Sequence, residues 1–93
     1  MLDLLELEQL VAFAEFGTLS KAAEALHISQ PTITRTMQHL EMEFGVPLFA
    51  RGKNKIELNE TGLKAVEHAR SLLTIAQNTV QQVQAYHWSL IHI

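Results

Sequence analysis

Apolar positions along the chain fall into four runs of helical spacing and one run of alternation. In the segment Leu4–Phe16, Leu7, Leu10, Val11 and Ala14 follow the i, i+3, i+4, i+7 template, and Phe13 widens that face. Gly17 is placed to stop it. Ser20 is read as the N-cap of a second helix, from Lys21 to about His27. Ala22, Ala23 and Ala25 keep its sides small enough for a neighbour to approach, and Leu26 and Ile28 face inward. Ser29 caps a third helix, with Pro31 in the first turn where a missing N–H costs nothing. Ile33, Met37, Leu40 and Phe44 form its buried stripe, and Gly45 ends it before Val46-Pro47.

Beyond Pro47 the period changes. Leu48–Arg51 reads as a short strand, Gly52-Lys53-Asn54 as a turn, and Lys55–Asn59 alternates with period two. Asn59 then caps a fourth helix running to about Tyr86, with Gly62 in its first turn. Leu63 and Leu72 are expected to pack back on the domain. Val66, Ala69, Leu73, Ala76, Val80 and Val83 alternate spacings of three and four, a heptad seam expected to dimerise. The predicted fold class is mainly α with a small β-hairpin, a winged helix-turn-helix plus a long C-terminal dimerisation helix. Residues 1–59 form the winged unit, 60–86 the linker and dimerisation helix, and 87–93 an unassigned tail.

Two helices joined by a short turn and followed by a hairpin suit duplex DNA. The second helix must bury one stripe and leave its start and outer face polar, to enter a major groove about 12 Å wide. That face holds Gln30, Thr32, Thr34, Arg35, Gln38 and His39. Gln pairs bidentately with adenine, Arg with guanine, and Thr methyls touch thymine methyls. Ser20 and Lys21, at the start of the preceding helix, are placed to hold the phosphate backbone, and the N-terminus of the recognition helix favours a phosphate.

Composition moderates this picture. The chain has 93 residues and a net charge of −3, a mild argument against nucleic acid. Distribution reverses it. Asp3, Glu6, Glu8 and Glu15 put the acid at one end, whereas Arg51, Lys53 and Lys55 crowd into the hairpin, where they are expected to reach phosphates. The hydrophobic content of 47% against 18% charged is that of a globular chain, and one this short gains from a partner. There is no cysteine, which removes disulfides, thiolate metal sites and a cysteine nucleophile, and fits a cytoplasmic protein. With its acidic start, no secretory signal is expected. From Ser71 onward there is no Asp, Glu, Lys or Arg, but Gln77, Asn78, Gln81, Gln82 and Gln84 make bilayer insertion costly.

The run Thr18-Leu19-Ser20-Lys21-Ala22-Ala23-Glu24-Ala25-Leu26-His27-Ile28-Ser29-Gln30-Pro31-Thr32-Ile33-Thr34-Arg35 resembles the signature of LysR-type transcriptional regulators. So do Leu40-Glu41, Phe44-Gly45-Val46-Pro47-Leu48-Phe49, Arg51 and Thr61-Gly62. The resemblance covers roughly residues 4–86. It implies an N-terminal winged helix-turn-helix, a linker helix that pairs with an antiparallel partner, and a C-terminal effector-binding domain. By that resemblance Gln30, Pro31, Thr32, Thr34 and Arg35 line the recognition contacts, joined by Gln38, and Arg51 and Lys53 hold wing positions. Thr32 stands where many members have proline or alanine, Thr34 where they have serine, and Asn59 where they have threonine. No counterpart of the effector domain is expected here, and hence no small-molecule site.

Other chemistries find little support. His27, His39, His68, His87 and His92 show no metal-ligand spacing, so no metal or cofactor is expected; His39 is placed to touch DNA at the helix edge. There is no Gly-rich phosphate loop, paired carboxylate or nucleophile beside a base, which argues against an enzyme. The expected function is sequence-specific binding of an inverted-repeat DNA operator by a homodimer. The alternative is a truncated dimerisation module that modulates full-length regulators.

Overall fold

The structure, a computed structural model, describes residues 1–92. Its elements run α1 (Leu4–Phe16), α2 (Leu19–Leu26), α3 (Gln30–Phe44), β1 (Phe49–Gly52), β2 (Lys55–Leu58) and α4 (Glu60–Ile91). The architecture is mainly helical with one antiparallel hairpin, as the hydrophobic pattern predicts.

Each helix end has a local cause. Asp3 caps α1 by accepting from the Leu5 amide at 2.8 Å, and Gly17 ends it at φ 86°, a left-handed conformation that glycine adopts without strain. The second helix corrects the sequence reading. Its N-cap is Thr18, not Ser20: Thr18 is extended (φ −135°, ψ 155°) and its hydroxyl accepts from Lys21 N at 3.1 Å. Ser20 lies inside the helix, because the cap shift lets Leu19 turn into the core. His27 closes α2 in the left-handed region at φ 57°, donating its N–H to Ala23 O and Glu24 O. Ser29 caps α3 as expected, accepting from Thr32 N, and Gly45 ends it.

The largest fully buried side chains, Leu7, Leu10, Ile33, Met37, Leu40 and Leu48, come from α1, α3 and the segment before the wing. Ala22 and Ala23 are buried where α2 meets its neighbours, whereas Ala25 faces solvent. Thr36 is buried on α3, its hydroxyl donating to Thr32 O at 3.1 Å, so a polar position joins the apolar stripe without an orphaned group. The Phe13 and Phe49 rings meet at 5.9 Å, tilted by 48°, and tie the wing's first strand to α1.

In the wing Phe49 pairs with Leu58, Ala50 with Glu57, Arg51 with Ile56 and Gly52 with Lys55. That register leaves a two-residue tip, Lys53-Asn54, and Asn54 takes φ 55°, which asparagine tolerates.

The fourth helix departs most from expectation. It continues past Tyr86 to Ile91, so residues 87–91 are helical; Ile93 lies outside the described residues. Leu63 is 57% and Leu72 38% exposed, and they do not form the inward face. That face is instead Gly62, Ala65, Val66 and Ala69, with Leu73 half-buried behind them. Val66 and Ala69, expected at a dimer seam, are therefore core residues of this chain, 5% and 3% exposed. The reason is that α1 already lies against the first turns of α4, where Arg70 also meets Glu15 at 2.9 Å. Farther along, the seam is uncovered: Val80 and Val83 are 57% and 64% exposed. No helix among the described residues is long and apolar enough to cross a membrane.

Candidate nucleic-acid interface

The outer side of α3 is open. Gln30, Pro31, Arg35 and Gln38 are exposed and Thr34 half-buried, and these five line one concave surface. Burial of Ile33, Met37 and Leu40 on the opposite side fixes this rotation, since residues three and four apart share a helix face. Thr32 is half-buried, with its hydroxyl 2.7 Å from that of Ser29. Both hydroxyls thus serve the helix start, and Ser29 is first a cap.

A second concavity brings separate elements together. It is lined by Thr18, Leu19 and Ser20 at the start of α2, Gln30 at the start of α3, and Asn54, Lys55 and Ile56 of the wing. The structure thereby gathers Ser20, Gln30 and Lys55 at one crevice. Thr18 and Asn54 are added to the sequence-derived set. Thr18 had a legible signal, an N-cap residue type three before Lys21.

Ion pairing divides the cations. Lys55 Nζ lies 2.9 Å from Glu57, Lys64 Nζ 2.9 Å from Glu67, Arg70 2.9 Å from Glu15, and Arg51 Nη2 3.9 Å from Glu41. The Lys64 ammonium holds the Glu67 carboxyl below the ordinary carboxylate range through its hydrogen bond and charge; this exposed pair supports α4 only weakly. Lys21, Arg35 and Lys53 have no acidic partner among the described residues. They lie at the start of α2, on the open face of α3 and at the tip of the wing.

His39 does not belong to this face. Its Nδ1 sits 2.7 Å from Glu6 of α1 and its Nε2 3.5 Å from Glu43, so both ring nitrogens address acids on the side of α3 turned toward α1. Among the described residues no group of three His, Cys, Asp or Glu is placed to hold a metal ion.

The model of the bacterial regulatory helix-turn-helix protein, lysR family, matches residues 4–63. The chain belongs to the LysR family. Among curated LysR-type relatives, the HTH-type transcriptional regulator TfdT of Cupriavidus pinatubonensis is 38% identical over 84 residues, 90% of this chain and 37% of that protein. TcbR of a Pseudomonas species is 45% identical over 71 residues, 76% of this chain and 24% of that protein. This LysR-family chain thus spans about a quarter to a third of the length of these relatives. A crystal structure of a CbnR_DBD-DNA complex matches with a TM-score of 0.86 at 39% identity, covering 91% of this chain and 98% of that one. A BenM_DBD/benA site 1 DNA complex matches with a TM-score of 0.84 at 30% identity, covering 91% and 99%. The full-length LysR-family regulator CbnR matches with a TM-score of 0.83, through 29% of its length.

Proposed function

We propose that this chain binds double-stranded DNA sequence-specifically, as a homodimer, and regulates transcription in the bacterial cytoplasm. The observation that carries this reading is that Lys21 at the start of α2, Arg35 on the open face of α3 and Lys53 at the wing tip have no acidic partner among the described residues, despite a net charge of −3. An acidic chain that leaves these three cations unmatched has a surface suited to a polyanion there.

In this reading α3 enters the major groove. Arg35 and Gln30 read base edges as bidentate partners of guanine and adenine, Thr34 contacts a thymine methyl, and Gln38 extends the contact. Pro31, Thr32 and Ser29 shape the helix entry. Ser20 and Lys21 hold the phosphates on one side; Arg51, Lys53 and Lys55 hold them on the wing side and contribute the salt dependence. Residues 1–59 act as the reading unit. The first turns of α4 complete its core, and the outer part of α4 is the dimerisation element, through Ala76, Val80 and Val83. A two-fold axis between two copies requires an inverted-repeat operator with half-sites in successive major grooves. No catalysis, cofactor or small-molecule site is assigned to this chain.

The test is fluorescence anisotropy of the purified chain against a randomised duplex library at two salt concentrations. Enrichment of an inverted repeat, with affinity falling steeply as salt rises, is expected. Association of the chain with itself or with full-length regulators, without duplex binding at physiological salt, would replace this reading with that of a modulatory pairing module.

A further inference from the structure

Glu41 lies in the last turns of α3, half-buried, and both its carboxylate oxygens point at the wing segment. Oε2 accepts from the Leu48 amide at 2.9 Å, and Oε1 lies 3.9 Å from Arg51 Nη2. Among the described residues no other α3 side chain bonds to this segment. The far side of the segment is held too. Leu48 is fully buried, its carbonyl accepts from Asn59 N at 3.0 Å, and Asn59 Nδ2 donates to Pro47 O at 3.2 Å. The stretch Pro47-Leu48 is therefore clamped between the recognition helix and the start of α4, and Glu41 supplies the recognition-helix jaw.

We propose that Glu41 is a positioning residue that fixes the wing relative to the recognition helix, so that phosphate contacts from Arg51 and base contacts from Arg35 fall in register. The inference rests on the DNA-binding reading above. Its physical basis is that phosphate contacts set the orientation in which base edges are read, and a wing displaced by about an ångström makes one set at the expense of the other. A hydrogen bond from the amide of buried Leu48 to a half-buried carboxylate is strong enough to hold such a segment. The Arg51 contact is long and Arg51 is 62% exposed, so that pair is weak, and a phosphate replaces Glu41 at Arg51 with little loss.

The test is a double-mutant cycle on operator duplex, at a temperature where circular dichroism shows every variant folded. Glu41→Ala is expected to weaken operator binding roughly tenfold, a factor in keeping with one lost charge-assisted hydrogen bond. In an Arg51→Ala background the same change is expected to cost much less, because the contact it positions is gone. Glu41→Gln keeps an acceptor for the Leu48 amide, serves the same cycle should the alanine variant not fold, and is expected to show a smaller loss. Hydrogen exchange at the Leu48 amide, read without DNA, is expected to quicken in Glu41→Ala. Equal losses in both backgrounds, or unchanged exchange at Leu48, would overturn the inference. Wild-type binding with an unaffected Glu41→Ala overturns it alone; a wild type that binds no duplex overturns the DNA reading as well.

Discussion

The backbone of Gly62 lies directly against the carbonyl oxygen of Leu48, so close that a methyl group at position 62 would collide with it. Two opposing effects meet at this helical glycine. Alanine improves helix propensity by about 1 kcal/mol. Overpacking against backbone costs about 1–3 kcal/mol, and here the obstruction is the clamped Leu48 carbonyl rather than a flexible side chain. The collision wins. Gly62→Ala is expected to lower the thermal midpoint, and a midpoint equal to or above wild type would contradict this packing.

The start of α2 separates two neighbouring hydroxyls by role. Thr18 satisfies the Lys21 amide, so Thr18→Ala is expected to cost about 1 kcal/mol of stability by chemical denaturation. Ser20 is exposed inside the helix and makes no hydrogen bond to another element among the described residues. Ser20→Ala is expected to leave stability within about 0.5 kcal/mol of wild type. It is also expected to weaken duplex binding measurably. The reverse pattern would restore Ser20 as the cap.

Arg35 and Lys53 are both cations without an acidic partner among the described residues, yet their predicted effects differ in kind. Arg35→Ala is expected to cost about 1–3 kcal/mol on the operator and to relax preference at one base position. Lys53→Ala is expected to weaken all duplexes alike and to reduce the salt slope by about one. Anisotropy titrations on operator and scrambled duplex at several salt concentrations distinguish them. A uniform loss for Arg35→Ala would remove it from base reading, and a loss for Lys53→Ala confined to one sequence would remove it from phosphate contact.

The exposed part of the α4 seam makes a further prediction. Val83→Asp puts a charge where a second copy is expected to bury an apolar side chain, an arrangement that is costly without a partner for the charge. Sedimentation velocity is expected to show a shift from dimer to monomer. Val66→Asp, by contrast, is expected to unfold the chain, because that valine is interior. Unchanged sedimentation for Val83→Asp would move the dimer contact elsewhere.

Much of the fold was legible because local signals agreed with one another. In α3 the apolar period, the capping residue and the terminal glycine all mark the same ends, and in α1 the apolar period and the terminal glycine agree. The wing was legible from the change to period two. What escaped depends on partners distant in the chain. Thr18 and Ser20 are both cap-forming types, and only the burial of Leu19 decides between them. His39 looks like part of a polar outer face until Glu6 of α1 is brought beside it. On α4 one heptad seam runs unbroken from Val66 to Val83, and spacing alone does not tell which rungs α1 covers. The open face around Arg35 was readable because an exposed face is the complement of a buried stripe, and that stripe is regular.

From Thr74 to Ile91 the last helix extends for about 27 Å with almost no side chain of its own fold beneath it. In proteins most helical stability comes from packing of an apolar face, and this stretch has little of it. Local stability along α4 is therefore expected to be graded: amides near the buried Val66 should open only with the whole domain, while those near the exposed Val83 should fray on their own unless another surface lies on them. If a second copy covers this arm, its rigidity is expected to belong to the pair rather than to the single chain, and to rise with protein concentration.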